Sequence, residues 1–574
     1  MALSLASAAR LLKEHHLLRE IVQGSRWTLD PADIDGSEQP FSDITYDTRK
    51  VKPGSILVAK GRFKKEFLDG IDAKGLACYV ATEEFSDTTN APGLIVDNAS
   101  KALSLLSSEF YDRPQDKLTM IGITGTKGKT TTAYFTQALL NAVSGGKAAL
   151  FSSVDNCLDG HTYVESDLTT PESLDAFRMM HTAVQNGMEY LVMEVSSQAY
   201  KVNRVYGLTF DVGAFLNISP DHISPIEHPT FEDYLYCKRQ ITANSHKLVL
   251  NADHAYASLV RQDAAAAGVP VNTFALRLDG EDNDNAGNGD GNDTGNENGN
   301  NGSASAQKPA PANVVIRPDD PQHESFTATW SNVAADNAQN ADNDSATAEP
   351  STATANSETA DCKVLAGGIS LSMLGDFNYA NAAAALAIAT AAGVDVASHP
   401  EAIEAMEKVR VAGRMERFKD PQSDTVAIVD YAHNFASVKA LLDFVDERYG
   451  SKNPRIILVT GSAGNKAYDR RKEIVEAAQD RVENFIFTAE DTDTEPFIDI
   501  CMQMQGYITA PDRTSTVISD RTTAVTNAVY DARAHADRFN VILIIGKGNE
   551  RWIKEHNKHT KFEGDDHIIE RLFA

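Results

Sequence analysis

Residues 117–140 read KLTMIGITGTKGKTTTAYFTQALL. An apolar run passes through a turn of small residues into a stretch whose apolar positions recur at helical spacing. Strand, Gly-rich turn and helix, in that order, make a phosphate-binding junction. Gly125, Thr126, Lys127, Gly128, Lys129, Thr130 and Thr131 would bring backbone N–H groups and the positive end of a helix to one point. Lys129 can reach the β- and γ-phosphates of a nucleotide, and the Thr130 hydroxyl can ligate Mg²⁺. The strict P-loop pattern asks for glycine at position 123; Ile123 stands there, with Gly122 one residue earlier. A Gly-rich turn with a solvated lysine is the bland alternative, and the flanking strand and helix weigh against it.

Working outward, buried-strand candidates follow the junction at AALFSSV (148–154), YLVMEV (190–195), VGAFLNI (212–218) and KLVLN (247–251). Helical stretches alternate with them, which predicts a mainly parallel α/β sheet. Upstream, GSILVA (54–59) and CYVAT (78–82) are short strands of a separate region. Downstream, an Ala-rich helix is expected over 380–392. TVAIVDY, a helix from Ala436, RIILVTG, ENFIFTAE and NVILIIGKG then repeat the alternation with strands apolar enough to be covered on both faces. The expected architecture is α/β in three domains, 1–115, 116–411 and 412–574: a small α/β domain, a P-loop domain with a mainly parallel sheet, and a Rossmann-like domain. Ligands of such sheets bind beyond the carboxyl ends of the strands.

The chain has 574 residues, 42% apolar and 23% charged, a soluble multidomain balance. Its first 20 residues interrupt a short apolar stretch with Lys13, Glu14, His15 and His16, which predicts an amphipathic helix, not a signal peptide. With no apolar run of membrane-span length, a cytoplasmic chain without membrane insertion is expected. Five scattered cysteines argue against a disulfide framework or a zinc site. A net charge of −28 disfavours nucleic acid as a partner, and no protein partner is identifiable. Residues 279–312 and 334–360 are Asp-, Asn-, Gly-, Ala- and Ser-rich, the composition of two disordered insertions. Between them NVVIRP (from Asn313) and ESFTATW (from Glu324) read as a hairpin.

The loop GTKGKTT, together with YDTRKVKPGSILVA, LTTPESLD, MEVSSQAYKVNRV, NISPDHIS, GRMERF, VDYAH and GKGNE, resembles the Mur ligase family. Within that family the chain is most similar to the members that extend UDP-N-acetylmuramoyl-L-alanyl-D-glutamate to a tripeptide. The matches cover nearly everything outside the two low-complexity stretches. The resemblance implies an ATP-dependent, ADP-forming ligase of peptidoglycan synthesis. Its N-terminal domain would bind the UDP precursor, its central domain ATP, and its C-terminal domain the amino acid.

Residue by residue, the resemblance assigns Thr130, Glu194, His222 and Lys238 to Mg²⁺, Lys238 as a carbamate made with CO₂. Bare lysine is a cation and cannot ligate a metal; its carbamate is a bidentate anion. That chemistry asks for a partly buried amine with a depressed pKa. Singly, Glu194 would read as a strand-end cap, His222 as a structural histidine and Lys238 as an exposed lysine. Thr48, Thr169, Thr170, Ser196 and Arg204 match contacts to the UDP-muramoyl peptide, and Asn378, Asn381, Arg414 and Asp430 residues bordering the adenine nucleotide.

For the incoming amino acid, Arg471 matches the arginine that meets its carboxylate, and Gly546 and Glu550 the far wall of its site. Asn549 replaces a frequent histidine. Diaminopimelate-adding members carry Asp-Asn-Pro-Arg after a strand; here TAEDTDTEP (488–496) has no arginine. Glu490, Asp491 and Asp493 stand there instead and would attract an ammonium and repel a carboxylate, so L-lysine or L-ornithine is expected. A solvated acidic loop is the plainer reading. A diaminopimelate ligase, a folylpolyglutamate synthase-like enzyme and a non-catalytic nucleotide-binding cell-wall protein are the alternatives.

Overall fold

A computed structural model describes residues 3–221, 223–224, 227–278, 312–320, 323–330, 363–364, 368–466 and 468–574. By compactness the chain divides into two units. One is Met1–Leu248 with Ala266–Val269 and Ile388–Val394; the other is Val249–Ala265 with Pro270–Ala387 and Asp395–Ala574. These units do not follow the three sequence regions one to one.

In the first unit, helix α1 (Leu5–Glu14) starts at a capping box built by Ser4 and Ser7 and buries Leu5, Ala8, Ala9 and Leu12. The amphipathic N-terminus is therefore a packed core helix. A first sheet has the order β2-β1-β6-β5-β4-β3. Its strands are β1 (Leu18–Gln23), β2 (Arg26–Thr28), β3 (Asp43–Thr45), β4 (Ser55–Val58), β5 (Cys78–Ala81) and β6 (Gly93–Val96). β3 to β6 run parallel, β1 antiparallel to β6. α1 and α2 (Ala99–Phe110) share one core with its Ile21, Ile56, Val80 and Leu94.

The second sheet starts in this unit with β7 (Thr119–Thr124), β8 (Ala148–Phe151), β9 (Asp155–Cys157), β10 (Tyr163–Glu165), β11 (Tyr190–Glu194), β12 (Phe210–Phe215) and the first residues of β13 (Ser245–Asn251). Their order is β10-β9-β8-β11-β7-β12-β13. β8, β11, β7 and β12 are parallel, with the antiparallel pair β9–β10 at the edge. β7 lies between β11 and β12, and every β7 residue after Thr119 is buried. Helices α3 (Lys129–Ser144), α4 (Ser173–Gln185), α5 (Ser197–Lys201) and α6 (Phe231–Ala243) intervene.

The chain continues through α7 (Ala257–Ala267) and β14 (Val271–Leu276). The expected hairpin follows as β15 (Val314–Pro318) and β16 (Phe326–Trp330), antiparallel from Val314↔Trp330 to Pro318↔Phe326. Both expected disordered insertions fall on residues outside the described ones, except that Ala312 is described and is buried against Ala252 and Ala275. β17 (Lys363–Val364), α8 (Asp376–Ala391) and α9 (Pro400–Glu407) lead to the last sheet.

That sheet has the order β18-β19-β23-β20-β21-β22. Antiparallel β18 (Glu416–Lys419) edges five parallel strands, β19 (Thr425–Asp430), β20 (Arg455–Thr460), β21 (Asn484–Thr488), β22 (Thr514–Ile518) and β23 (Asn540–Ile545). α10 (Phe435–Tyr449), α11 (Asp469–Ala478) and α12 (Phe497–Gly506) cover one face through Leu441, Val475 and Ile500. α13 (Arg521–Ala534) and α14 (Asp565–Phe573) cover the other through Val525, Val529 and Ile569. A side chain of this size contributes about 1.5–3 kcal/mol when fully buried, so the sheet is anchored on both sides and its strand ends stay in register. A hairpin of β24 (Trp552–Glu555) and β25 (Lys558–Lys561) follows β23. The four cysteines among the described residues are free and buried. No helix of the described residues is long and apolar enough to cross a membrane.

Candidate active site

Beyond β7 the chain turns at Gly125–Gly128 and enters α3. Gly128 has φ of 82°, which a side chain would strain. Asn217, just past β12, braces the loop from three sides. Its Oδ1 accepts from the Lys127 N–H (2.9 Å), its Nδ2 donates to the Lys127 carbonyl (3.0 Å), and its own carbonyl accepts from the Thr126 N–H (3.1 Å). The Thr126 hydroxyl lies 3.0 Å from that of Tyr234. Lys129 arches over the loop, Nζ donating to the carbonyls of Gly125 (2.9 Å) and Thr126 (3.3 Å). Lys127 Nζ lies 3.4 Å from Asp221. Thr131 is buried in the first turn of α3.

Three oxygen donors meet beside this loop. The Thr130 hydroxyl is 2.9 Å from that of Ser153, just past β8. Ser153 donates through its N–H (2.8 Å) and its hydroxyl (3.2 Å) to Oε1 of Glu194, the last residue of β11. Glu194 is 1% exposed. A buried carboxylate bonded to one hydroxyl, which is itself bonded to a second, is a chain of hard oxygen donors that fits Mg²⁺. Sequence reasoning found Thr130 and Glu194 and missed Ser153 and Asn217. Their one signal was position: each sits two residues past an apolar strand.

Lys238 comes from α6, whose N-cap Thr230 accepts from the Asp233 N–H. It is 2% exposed, not the exposed lysine of the plain reading. Its Nζ donates to the Gly125 carbonyl at 2.8 Å and lies 4.9 Å from the Tyr234 ring centre. Burial, and then the neighbouring charge of Lys129, holds its pKa well below the usual lysine range. His222 lies outside the described residues.

The residues matched to the peptide precursor lie on the same unit. The buried Thr170 hydroxyl donates to the Glu194 carbonyl (2.9 Å) and accepts from the Ser196 N–H (3.0 Å), and Ser196 caps α5. Thr169 beside it is half-buried. Arg204 bonds to the Thr170 carbonyl (3.3 Å) and to Glu172 (2.9 Å), whose other oxygen pairs with Lys60. Two cations and two hydroxyls thus gather near the end of β11. Thr48 lies on the first sheet's side of the unit, its carbonyl accepting from Lys74 (2.8 Å).

In the second unit, Asn378 and Asn381 are buried on α8 and bonded to each other (3.2 Å). Arg414 stacks on Tyr431, 4.6 Å from the ring centre. Asp430, at the end of β19, accepts from the N–H groups of Met415 (2.9 Å) and Ala432 (2.8 Å). Arg471 is fully buried and forks onto Glu495 (2.8 and 2.7 Å).

The acidic loop after β21 corrects the sequence reading. Asp491 accepts from Lys547 Nζ at 2.8 Å and from the Lys554 N–H at 3.0 Å. Asp493 meets Lys554 Nζ at 3.2 Å and the Asn557 N–H at 3.1 Å. Lysines from the turn after β23 and from the following hairpin already pair with both, so neither is the open acidic group the sequence suggested. Glu490 differs. It is 8% exposed, its Oε2 has no hydrogen-bond partner among the described residues, and burial pushes its carboxyl pKa up. Gly546 faces it with φ of 104°, and a Cβ there would stand 2.5 Å from Oε2. Glu550 pairs with Lys547 and accepts from the Tyr431 hydroxyl at 3.1 Å.

Two family models match this chain: the Mur ligase middle domain over residues 123–295 and the Mur ligase glutamate ligase domain over 413–548. A UDP-N-acetylmuramyl-tripeptide synthetase of Bifidobacterium longum is 65% identical over 574 residues, covering all of both chains. The chain belongs to the Mur ligase family. The UDP-N-acetylmuramoyl-L-alanyl-D-glutamate–L-lysine ligase of Enterococcus faecalis is 36% identical over 571 residues, 99% of each chain. The solved structure of a UDP-N-acetylmuramoyl-L-alanyl-D-glutamate–2,6-diaminopimelate ligase shares the fold, with a TM-score of 0.58 at 20% identity over 100% of this chain and 99% of that one. Like other Mur ligases, this chain is an ATP-dependent ligase with an α/β fold of mainly parallel sheets.

Proposed function

We propose that the chain joins L-lysine to the D-glutamate of UDP-N-acetylmuramoyl-L-alanyl-D-glutamate, at the expense of ATP, in the cytoplasm. L-ornithine is the shorter diamine the same groups would accept. The domain roles follow the three sequence regions. Residues 1–115 hold the UDP end through Thr48, 116–411 hold ATP and the peptide, and 412–574 hold the amino acid.

The P-loop amides and Lys129 bind and orient the triphosphate, with Asn378, Asn381, Arg414 and Asp430 bordering the nucleoside. Arg204, Thr169, Thr170 and Ser196 hold the peptide so that its free carboxylate faces the γ-phosphorus. Thr130, Glu194, His222 and Lys238 as its CO₂-derived carbamate would hold Mg²⁺, and Ser153 joins them through Thr130 and Glu194. Bound there, the metal supplies charge neutralisation for the phosphoryl group. The carboxylate takes the γ-phosphoryl group and becomes an acyl phosphate, releasing ADP. The amino acid's α-amine then attacks the carbonyl, and phosphate leaves as the amide forms. The protein's share is positioning and water exclusion.

The observation that carries the amino-acid choice is Glu490. A buried carboxyl oxygen without a hydrogen bond costs free energy until a donor such as an ammonium meets it. The side-chain ammonium of lysine would meet it; diaminopimelate has that ammonium too, but its additional distal carboxylate would bring a second anion up to the Glu490 carboxyl group. The Lys-adding relative from Enterococcus supports the same choice. A screen of phosphate release with the UDP-muramoyl dipeptide, ATP and single amino acids tests this. L-lysine should give the highest kcat/KM, and efficient turnover of meso-diaminopimelate would overturn the assignment. Phosphate release only with a folate acceptor, or none at all, would favour the folylpolyglutamate synthase-like or the non-catalytic alternative.

A further inference from the structure

Behind the Glu490 loop lies a charge pair that the reaction itself does not use. Arg521 opens α13 and Asp565 opens α14; both are essentially unexposed. The guanidinium forks onto the carboxylate, Nε to Oδ1 at 2.9 Å and Nη2 to Oδ2 at 2.8 Å. Its remaining bonds go to two backbone carbonyls, Nη2 to Ile545 at 2.8 Å and Nη1 to Ala489 at 3.3 Å. A cation at a helix N-terminus opposes the helix dipole, and a buried ion pair is weak ground for stability because desolvation offsets its attraction. Such a locally unfavourable arrangement points to a role elsewhere.

The two carbonyls show where. Ala489 precedes Glu490 and Ile545 precedes Gly546, and β20 separates their strands in the sheet. One rigid planar group therefore ties together two non-adjacent strand ends, at the points where the chain turns to Glu490 and to Gly546. We infer that Arg521, held by Asp565, is a positioning residue that sets the gap between Glu490 and the Gly546–Glu550 turn, and so the fit of the incoming amino acid's side chain. The inference rests on reading that gap as the amino-acid site. The close approach of Gly546 to the Glu490 carboxylate makes the gap sensitive to small shifts of either strand end. Lysine at position 521 could keep the charge but not the fork, so it could not hold Asp565 and both carbonyls in one plane.

The full-length enzyme tests this with three variants: Arg521→Lys, the paired Arg521→Met with Asp565→Leu, and Glu490→Gln. The paired change removes both charges and keeps the packing, so it separates folding from positioning. KM for L-lysine should rise about tenfold or more in both Arg521 variants, with KM for ATP within about twofold and discrimination against meso-diaminopimelate narrowed. A paired variant that keeps the wild-type Tm, lysine KM and discrimination overturns the inference. So does one in which the KM values of all three substrates change alike, or one that does not fold, since the pair would then be structural. Glu490→Gln separates the two levels. If it raises KM for lysine while the Arg521 variants do not, only the positioning role falls. If it leaves KM for lysine unchanged, the reading of the site falls and the inference with it.

Discussion

Two buried ionisable side chains sit where their surroundings resist the charged form, in opposite senses. Lys238 is held below its usual pKa range by burial and by Lys129, which favours the neutral amine that carbamate formation with CO₂ would require. Lys238→Ala should lower kcat by about 100- to 1000-fold, with a smaller effect on KM, because it removes charge stabilisation needed mainly in the transition state. Intact-mass analysis of the native protein should show the added mass of one CO₂, absent from the alanine variant. Unchanged turnover in CO₂-depleted buffer would remove the carbamate from the mechanism. Glu490 has the reverse problem, its carboxyl raised by burial. The folded chain then keeps a proton that the unfolded chain has released, so this stabilisation is complete below the ordinary carboxylate range and fades as pH rises through the raised value. Glu490→Gln never ionises and loses nothing. Without substrate its Tm should match wild type near about pH 4 and exceed it at about pH 8. Saturating L-lysine should narrow the gap at the higher pH by supplying the missing donor to Oε2; a gap that does not depend on lysine would mean that the ammonium binds elsewhere.

Elements that the sequence made legible are those whose signal is local. The strand expected over 190–195 is Tyr190–Glu194, the helix expected from Ala436 begins at Phe435, and the P-loop junction lies where its small residues put it. The apolar density of the last sheet correctly implied helices on both faces. Partners brought from far along the chain were not legible. Asp491 and Asp493 read as an acidic patch because nothing nearby discloses Lys547 and Lys554, 56 and 61 residues on. Arg521 and Asp565, 44 residues apart, gave no signal at all. The Ala-rich helix begins at Asp376, four residues before the expected start, because Asp376, Phe377 and Asn378 form its first turn. At this scale the turn after β23 makes a prediction. Gly546→Ala places a side chain at φ of 104° and 2.5 Å from Glu490 Oε2. Such backbone strain costs about 1–3 kcal/mol. Tm should fall and KM for L-lysine should rise about tenfold, with KM for ATP unchanged. Normal lysine kinetics in a folded variant would place the amino acid away from this turn.

For the molecule as a whole, a net charge of −28 surrounds substrates of opposite sign. ATP and the UDP-muramoyl dipeptide are anions; L-lysine carries a net positive charge. In the proposed reaction Lys129, Arg204 and the P-loop amides would act on bound anions at close range, where salt screens little. The field of the whole chain acts over tens of ångströms, and it is the part that salt removes, since the Debye length falls from about 30 Å at 0.01 M to about 8 Å at 0.15 M. An acidic protein therefore concentrates a cationic amino acid and repels its anionic co-substrates, and added salt weakens both effects. Between those two ionic strengths KM for L-lysine should rise about two- to fivefold, whereas KM values for ATP and the precursor should fall. The contrast in sign distinguishes this from a general salt effect on folding or turnover, which would move all three together. Steady-state phosphate release at fixed free Mg²⁺, with each substrate varied in turn, measures it. If KM for lysine did not respond to salt, its recognition would lie wholly in short-range contacts such as Glu490, and the field of the chain would have no part in selecting it.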